Sequence, residues 1–213
     1  MKRSLPAGLL AAAVLWSGAA LGQPIEELDY QRIDPARPTA TARRIEVIEF
    51  FYYGCESCDR FEPRLKAWLA RQPDDVAFRR LPAIRRTEWL PLTRIFFVLE
   101  ALGALPRLHG EVYRALHAEG LDLSSGKVLL DWAALKGLDR GAFETTLLSD
   151  RIAIEVQRAR DTTIAYGVST TPTVVVDGRY LTSAGMLGDL DLVLPVVDAL
   201  IDMARRDRAA STR

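Results

Sequence analysis

The 213-residue chain is short of the side chains that most often build metal and cofactor sites, with two cysteines, two histidines and three methionines. Two cysteines and two histidines leave little for a Cys/His zinc site without help from carboxylates, so a metal is not the first reading. An excess of either charge is also missing: 28 basic side chains face 28 acidic ones, which excludes a polybasic nucleic-acid binder on bulk charge. The chain lacks the composition of a disordered protein, being 49% apolar. No segment after residue 22 approaches the run of about 20 apolar residues that crosses a bilayer. The length fits one domain, or one domain carrying a large insertion.

What is present at the start is a separate message. Lys2 and Arg3 precede an apolar stretch from Leu9 to Trp16, and small residues follow to Ala20-Leu21-Gly22. That is the layout of a secretory signal over residues 1–22, of bacterial envelope type, with an uncleaved anchor as the alternative. Its removal takes away Lys2 and Arg3 and no acid, leaving 26 bases against 28 acids. The expected destination, the periplasm, is oxidising, so the pair Cys55 and Cys58 is the first feature to explain.

Residues 23–43 contain Pro24, Pro35 and Pro38 and read as an extended lead-in with at most one short strand, around Tyr30 to Ile33. Residues 44–53 are dense in β-branched and aromatic side chains and end at Gly54, the pattern of a central strand covered on both faces. From Cys55 to Gln72, Phe61, Leu65, Trp68 and Leu69 recur at helical spacing until Pro73. Val76 to Pro82 supplies the next strand of a β-α-β unit with a right-handed crossover. Residues 88–166 read almost wholly as helices, broken near Gly103–Pro106, Gly120–Gly126 and Gly137–Gly141. Strand character returns at Thr173–Val176, turns at Asp177-Gly178 and comes back over Arg179–Thr182. A last helix is expected over Leu187–Arg206, with a charged tail beyond it. The order describes an α/β sheet domain interrupted by a helical insert: residues 23–87 and 163–213 as its two halves, 88–162 as the insertion.

Cys55 and Cys58 lie one helical turn apart, with Cys55 at the helix start. The thiolate is the attacking species in disulfide exchange, and the free N–H groups and positive dipole end of a helix favour that anion at Cys55. Cys55 is therefore the candidate nucleophile and Cys58 the shielded resolving thiol; a static disulfide or half a metal site are the alternatives. Glu49 stands in an otherwise apolar strand, where burial would raise its pKa and let it exchange a proton with Cys58 near neutral pH. The alternative is a solvent-facing edge glutamate, the reading also given to Glu46. Pro172 cannot donate to a sheet ladder; a cis Thr171–Pro172 bond would offer the Thr171 backbone to an extended peptide, and an ordinary trans proline is the alternative. His109 and His117 have no second ligand pair nearby and read as surface or packing residues. Arg79-Arg80 and Arg85-Arg86 read as capping or solvated pairs, and Trp68, Trp89 and Trp132 as core or groove-lining residues.

EFFYYGCESCDRFEP, then a helical block, then YGVSTTPTVVVDGRYL resembles the DsbA family of periplasmic thiol:disulfide oxidoreductases over essentially the whole chain after residue 22. The resemblance implies a thioredoxin-like fold with an inserted helical domain. It makes Cys55 and Cys58 the redox pair, Glu49 the buried acid and Thr171-Pro172 the cis-proline element. It also implies unfolded exported proteins as substrates, held in an apolar groove near Pro172, a DsbB-like membrane protein as reoxidant, and no bound cofactor. The dipeptide between the cysteines departs from the family: Pro-His is typical, and this chain has Glu56-Ser57. An anion replaces a histidine beside Cys55, so a higher Cys55 pKa and a less oxidising disulfide are expected. Thr171 before the proline is similar to the related disulfide isomerases and leaves substrate preference open.

The leading function is thus a thiol oxidase. A reductase or isomerase running the same chemistry in the other direction is the second reading, weakened by a lead-in too short for the dimerisation domain of DsbC-type isomerases. A non-catalytic, chaperone-like peptide-binding module with an inert Cys55–Cys58 bridge is the third. Nothing in the sequence demands more than a monomer.

Overall fold

A computed structural model describes residues 23–211; the signal-like residues 1–22 lie outside them. At its centre is β2 (Ile45–Phe51), whose seven residues are all buried. That burial explains its composition, because a strand covered on both faces has no use for polar alternation. The sheet runs β1-β5-β4-β2-β3, with β3 (Val76–Pro82) parallel to β2 and β4 (Thr173–Val176) antiparallel on its other side. β5 (Tyr180–Ser183) returns from β4, and β1 (Gln31–Arg32) closes the edge. The turn between β4 and β5 places Asp177 and Gly178 at φ +54° and +63°, a left-handed pair closed by the Arg179 N–H donating to the Val176 carbonyl oxygen at 3.0 Å, before Val176 pairs with Tyr180. A side chain at Gly178 would also put its Cβ 2.2 Å from the Arg37 carbonyl oxygen, so the lead-in segment docks only because that residue is glycine.

Alternate β2 residues face opposite sides. Ile45 and Val47 pack on α1 (Glu56–Leu69) and α8 (Val193–Ser211) through Phe61, Leu65, Trp68, Val197 and Leu200. Ile48 and Phe50 pack on the other side with Tyr166, Val168 and Leu181. Five helices stand between β3 and β4: α2 (Leu90–Ala101), α3 (Leu105–Tyr113), α4 (Gly126–Leu135), α5 (Arg140–Leu147) and α6 (Asp150–Ala165). Their core of Phe96, Leu99, Val112, Trp132, Phe143 and Ile152 is continuous with Phe51, Tyr53 and Cys58, so the insert seals the inner thiol from solvent. This is the thioredoxin fold with a helical insertion expected from the sequence.

The differences are local. α6 starts without a glycine break before it, because Ser149 caps it by accepting from the Ile152 N–H. α3 runs into a π-helical turn at Arg114–Ala118. The expected C-terminal helix starts later: a short α7 (Ala184–Leu187) precedes it and stops at Gly188, whose φ is +68°, and a 3-10 turn at Leu190–Leu192 leads into α8 at Val193. α8 then continues to Ser211, through residues expected to form a tail. Among the described residues no helix is long and apolar enough to cross a membrane, and no group of three or more His, Cys, Asp or Glu could hold a metal.

Candidate active site

β2 delivers the chain to Tyr52-Tyr53-Gly54 and then to Cys55 at the N-terminus of α1. Cys55 is half-buried, Cys58 is fully buried, and neither is in a disulfide. One turn apart, the two sulfurs divide their roles. The Cys55 thiol is pulled down to about 6, chiefly by a hydrogen bond from the Cys58 thiol, against the opposing effect of burial, with help from the Thr171 side chain and the backbone N–H groups of Cys58 and Ser57. Burial pushes the Cys58 thiol well above its ordinary value. The arrangement therefore carries one accessible thiolate and one shielded thiol, the pair that disulfide exchange needs.

The Thr171–Pro172 bond is cis, and the Thr171 carbonyl oxygen lies 3.4 Å from Cys55 Sγ. A second cis bond, Asp34–Pro35, was not foreseen in the sequence. Beside the thiols, Tyr52 and Trp89 stack face to face with ring centroids 4.1 Å apart. Glu56 is exposed, and the leading influences on Cys55 come from Cys58, Thr171 and the backbone instead. Ser57 contributes its backbone N–H to Cys55, while its hydroxyl oxygen accepts from Arg60.

Glu49 points to the same side of β2 as Val47 and Phe51 and is 1% exposed. The parallel register sets Arg80 of β3 directly beside it, with Arg80 Nε 3.2 Å from Glu49 Oε2. Burial drives the Glu49 carboxyl up to about 8; Arg80 opposes the shift, and Glu62 and Cys55 add to it. Arg80 also donates from Nη2 to both carboxylate oxygens of Glu62, at 2.9 and 2.8 Å. Burial raises Glu62, but His109 and Arg80 together hold it below its ordinary value. His109 Nε2 lies 3.5 Å from Glu62 Oε2, and its Nδ1 is 2.8 Å from the Tyr53 hydroxyl. The Tyr53 carbonyl oxygen in turn lies 2.7 Å from His117 Nε2.

Two expectations are corrected by this network, and a third is extended. Glu46 does not face solvent: it is 2% exposed, on the opposite face of β2, paired with Arg79 at 3.1 Å and accepting from the Ala40 N–H at 3.2 Å. Arg79 and Arg80 do more than cap or meet solvent, because the strand's alternation sends one to each buried glutamate. His109 is buried as expected of a packing residue, but its ring is also a polar link to Glu62. Arg85 and Arg86 are exposed, Trp68 and Trp132 are core, and Trp89 is half-buried at the edge of the site. Glu62 and Tyr53 were not singled out from the sequence, and Arg80 was named there without its role beside Glu49. A signal existed for two of them: Glu62 is one turn beyond Cys58 on α1, and a β-α-β unit with parallel strands places Arg80 next to Glu49.

Comparison with known proteins agrees with this geometry. Residues 80–192 match the DSBA-like thioredoxin domain family. The chain is 36% identical to the thiol:disulfide interchange protein DsbA of Bordetella parapertussis, over 96% of this chain and 97% of that one. It is 33% identical to the protein of the same name from Azotobacter vinelandii, over 96% and 99%. The crystal structure of Pseudomonas aeruginosa DsbA superposes with a TM-score of 0.79 at 34% identity, covering 87% of this chain and 95% of that one. The oxidoreductase DsbA from Xylella fastidiosa gives 0.80 at 31% identity, covering 86% and 99%. With matches of this extent, the chain belongs to the DsbA family and is a thiol:disulfide oxidoreductase.

Proposed function

We propose that the protein is a periplasmic thiol oxidase that introduces disulfides into exported proteins through Cys55 and Cys58. A substrate thiolate attacks Cys55 Sγ of the oxidised pair; the Cys55–Cys58 bond breaks, a mixed disulfide forms, and Cys58 leaves as a thiolate that takes a proton. A second substrate thiolate then attacks the substrate sulfur of the mixed disulfide and expels Cys55 as a stabilised thiolate. The substrate loses two electrons and the enzyme gains them. The observation that carries this reading is the division of the pair into a half-exposed thiolate near 6 and a buried thiol, beside the Thr171 carbonyl.

Glu49 is the proposed proton donor to Cys58. It is protonated at neutral pH, wholly buried, and electrostatically coupled to both sulfurs. The Thr171 backbone beside the cis Pro172 is the proposed anchor for an extended substrate segment. The sulfurs carry the electrons, so no bound cofactor is invoked, and a DsbB-like membrane protein is the proposed reoxidant. Family membership and the signal-like residues 1–22 support the periplasmic assignment. A Cys55 pKa of about 6 lies between the values of about 3.5 and about 7 associated with a reference DsbA and with thioredoxin. This value supports the reading that the disulfide is a weaker oxidant than that DsbA's.

The test is trapping by Cys58→Ala in a bacterial envelope. Accumulation of mixed disulfides between Cys55 and exported proteins is the expected result; none forming would leave the chaperone-like reading. In a glutathione titration, the oxidase should show a potential between about −120 and about −200 mV. A value at the thioredoxin end would favour the reductase or isomerase.

A further inference from the structure

A cleft of about 580 Å³ opens between α1 and α3, and its lining includes the network's Glu62, Arg80 and His109. Glu49 and Glu62 share a single guanidinium, that of Arg80. Two carboxylates around one largely enclosed cation, one of them wholly buried, do not both stay ionised easily, so at neutral pH they hold one proton between them. Which of the two holds it matters: on Glu49 it is next to the thiols, on Glu62 it is at the cleft.

We propose that His109, a residue of the helical insert, places this shared proton on Glu49 by donating from Nε2 to Glu62. It deepens the role proposed above for Glu49 and makes His109 a positioning residue. His109 Nε2 is buried, has no other hydrogen-bond partner and faces Glu62 Oε2 at 3.5 Å; a carboxylate only accepts, so the hydrogen that can close this contact is the one on that nitrogen. Nδ1 then accepts from the Tyr53 hydroxyl at 2.8 Å, which fixes both tautomer and ring orientation. Tyr53 keeps its proton, because burial holds its pKa well above the ordinary value. The ring is walled by Phe51, Phe96 and Tyr113, and burial keeps its pKa below the ordinary histidine value, so it acts as a neutral donor. The charged and titratable groups around the pair come from every packed element: Arg80 on β3, Glu62 on α1, Tyr53 after β2, Tyr113 on α3, and the two thiols. Lys66, Arg107 and Glu111 stand at the rim, where Glu111 is engaged by Lys136.

The test is a carboxyl NMR titration of Glu49 and Glu62 in the full reduced protein and in His109→Phe, His109→Gln and Tyr53→Phe. Removing the donor in His109→Phe should move the proton: the Glu49 midpoint falls and the Glu62 midpoint rises, each by about tenfold in proton affinity. His109→Gln keeps an N–H near the same place and should restore the wild-type order. If His109→Phe does not fold, Tyr53→Phe, which frees the ring from its fixed tautomer, should show the same opposed movement in weaker form. Midpoints that stay put, or that move in the same direction, overturn the proposal. Because the titration reads where the proton sits and not what it does, it stands apart from the kinetic test of Glu49.

Discussion

Two glutamates three residues apart in β2 make an internal comparison. Both are buried, and both are paired with an arginine from the adjacent strand. Glu46 meets Arg79, whose side chain is 39% exposed, and accepts from a backbone N–H, so it ties the lead-in segment to the sheet. Glu49 meets Arg80, which is 20% exposed and already engaged by Glu62, in a site closed by the helical insert. The same residue type on the two faces of one strand becomes a structural tie on one side and a stored proton on the other. What differs is the number of carboxylates per cation and the access of water.

The comparison can be broken most strongly at the arginines. Arg80→Met leaves two buried carboxylates without their cation and is expected to cost about 3–5 kcal/mol in urea unfolding at neutral pH. Arg79→Met, at a partly solvated pair, should cost about 1–2 kcal/mol. Equal losses would mean that the two faces are electrostatically alike.

At the glutamates the difference should appear in rate and in pH dependence. Glu49→Gln is expected to slow substrate oxidation about 10- to 100-fold in stopped-flow kinetics, while Glu46→Gln stays within about twofold. The folded-state pKa of Glu49 is raised from 4.5 to about 8. Proton binding at Glu49 therefore favours the folded state: its contribution is fully present below 4.5 and is lost as the pH rises toward 8. Glu49→Gln should accordingly gain stability relative to the wild type across that window and level off above it. A constant difference between the two unfolding curves would contradict a raised Glu49.

A smaller effect is expected at the rim. A Cβ on Gly54 would sit 2.5 Å from Tyr52 Cε1, so Gly54→Ala should push that ring off Trp89. The cost should stay near about 1 kcal/mol, with a changed tryptophan fluorescence as the readout.

The sheet, the insert and the thiol pair were legible in the sequence because each rests on local information. β2 declares its central position through an unbroken apolar run, Asp177-Gly178 declares its turn, and Cys55 declares its helix terminus by spacing alone. Glu49 stood out because a carboxylate in such a run is out of place. Its partners did not, because Arg80, Glu62 and His109 are ordinary polar residues until a strand register, a helix face and an inserted domain bring them together. The misreading of Glu46 has the same origin: edge or centre is a property of the whole sheet. The break at Gly188 was visible as a glycine, and only the positive φ shows that it stops a helix.

At neutral pH Cys55 is a thiolate while Cys58 keeps its proton, and an ultraviolet thiolate titration of the reduced protein reads this out. One transition is expected, with a midpoint of about 6 and absent from Cys55→Ala; a midpoint at the ordinary cysteine value, or an early transition that survives in Cys55→Ala, would show that Cys55 is not the stabilised thiolate.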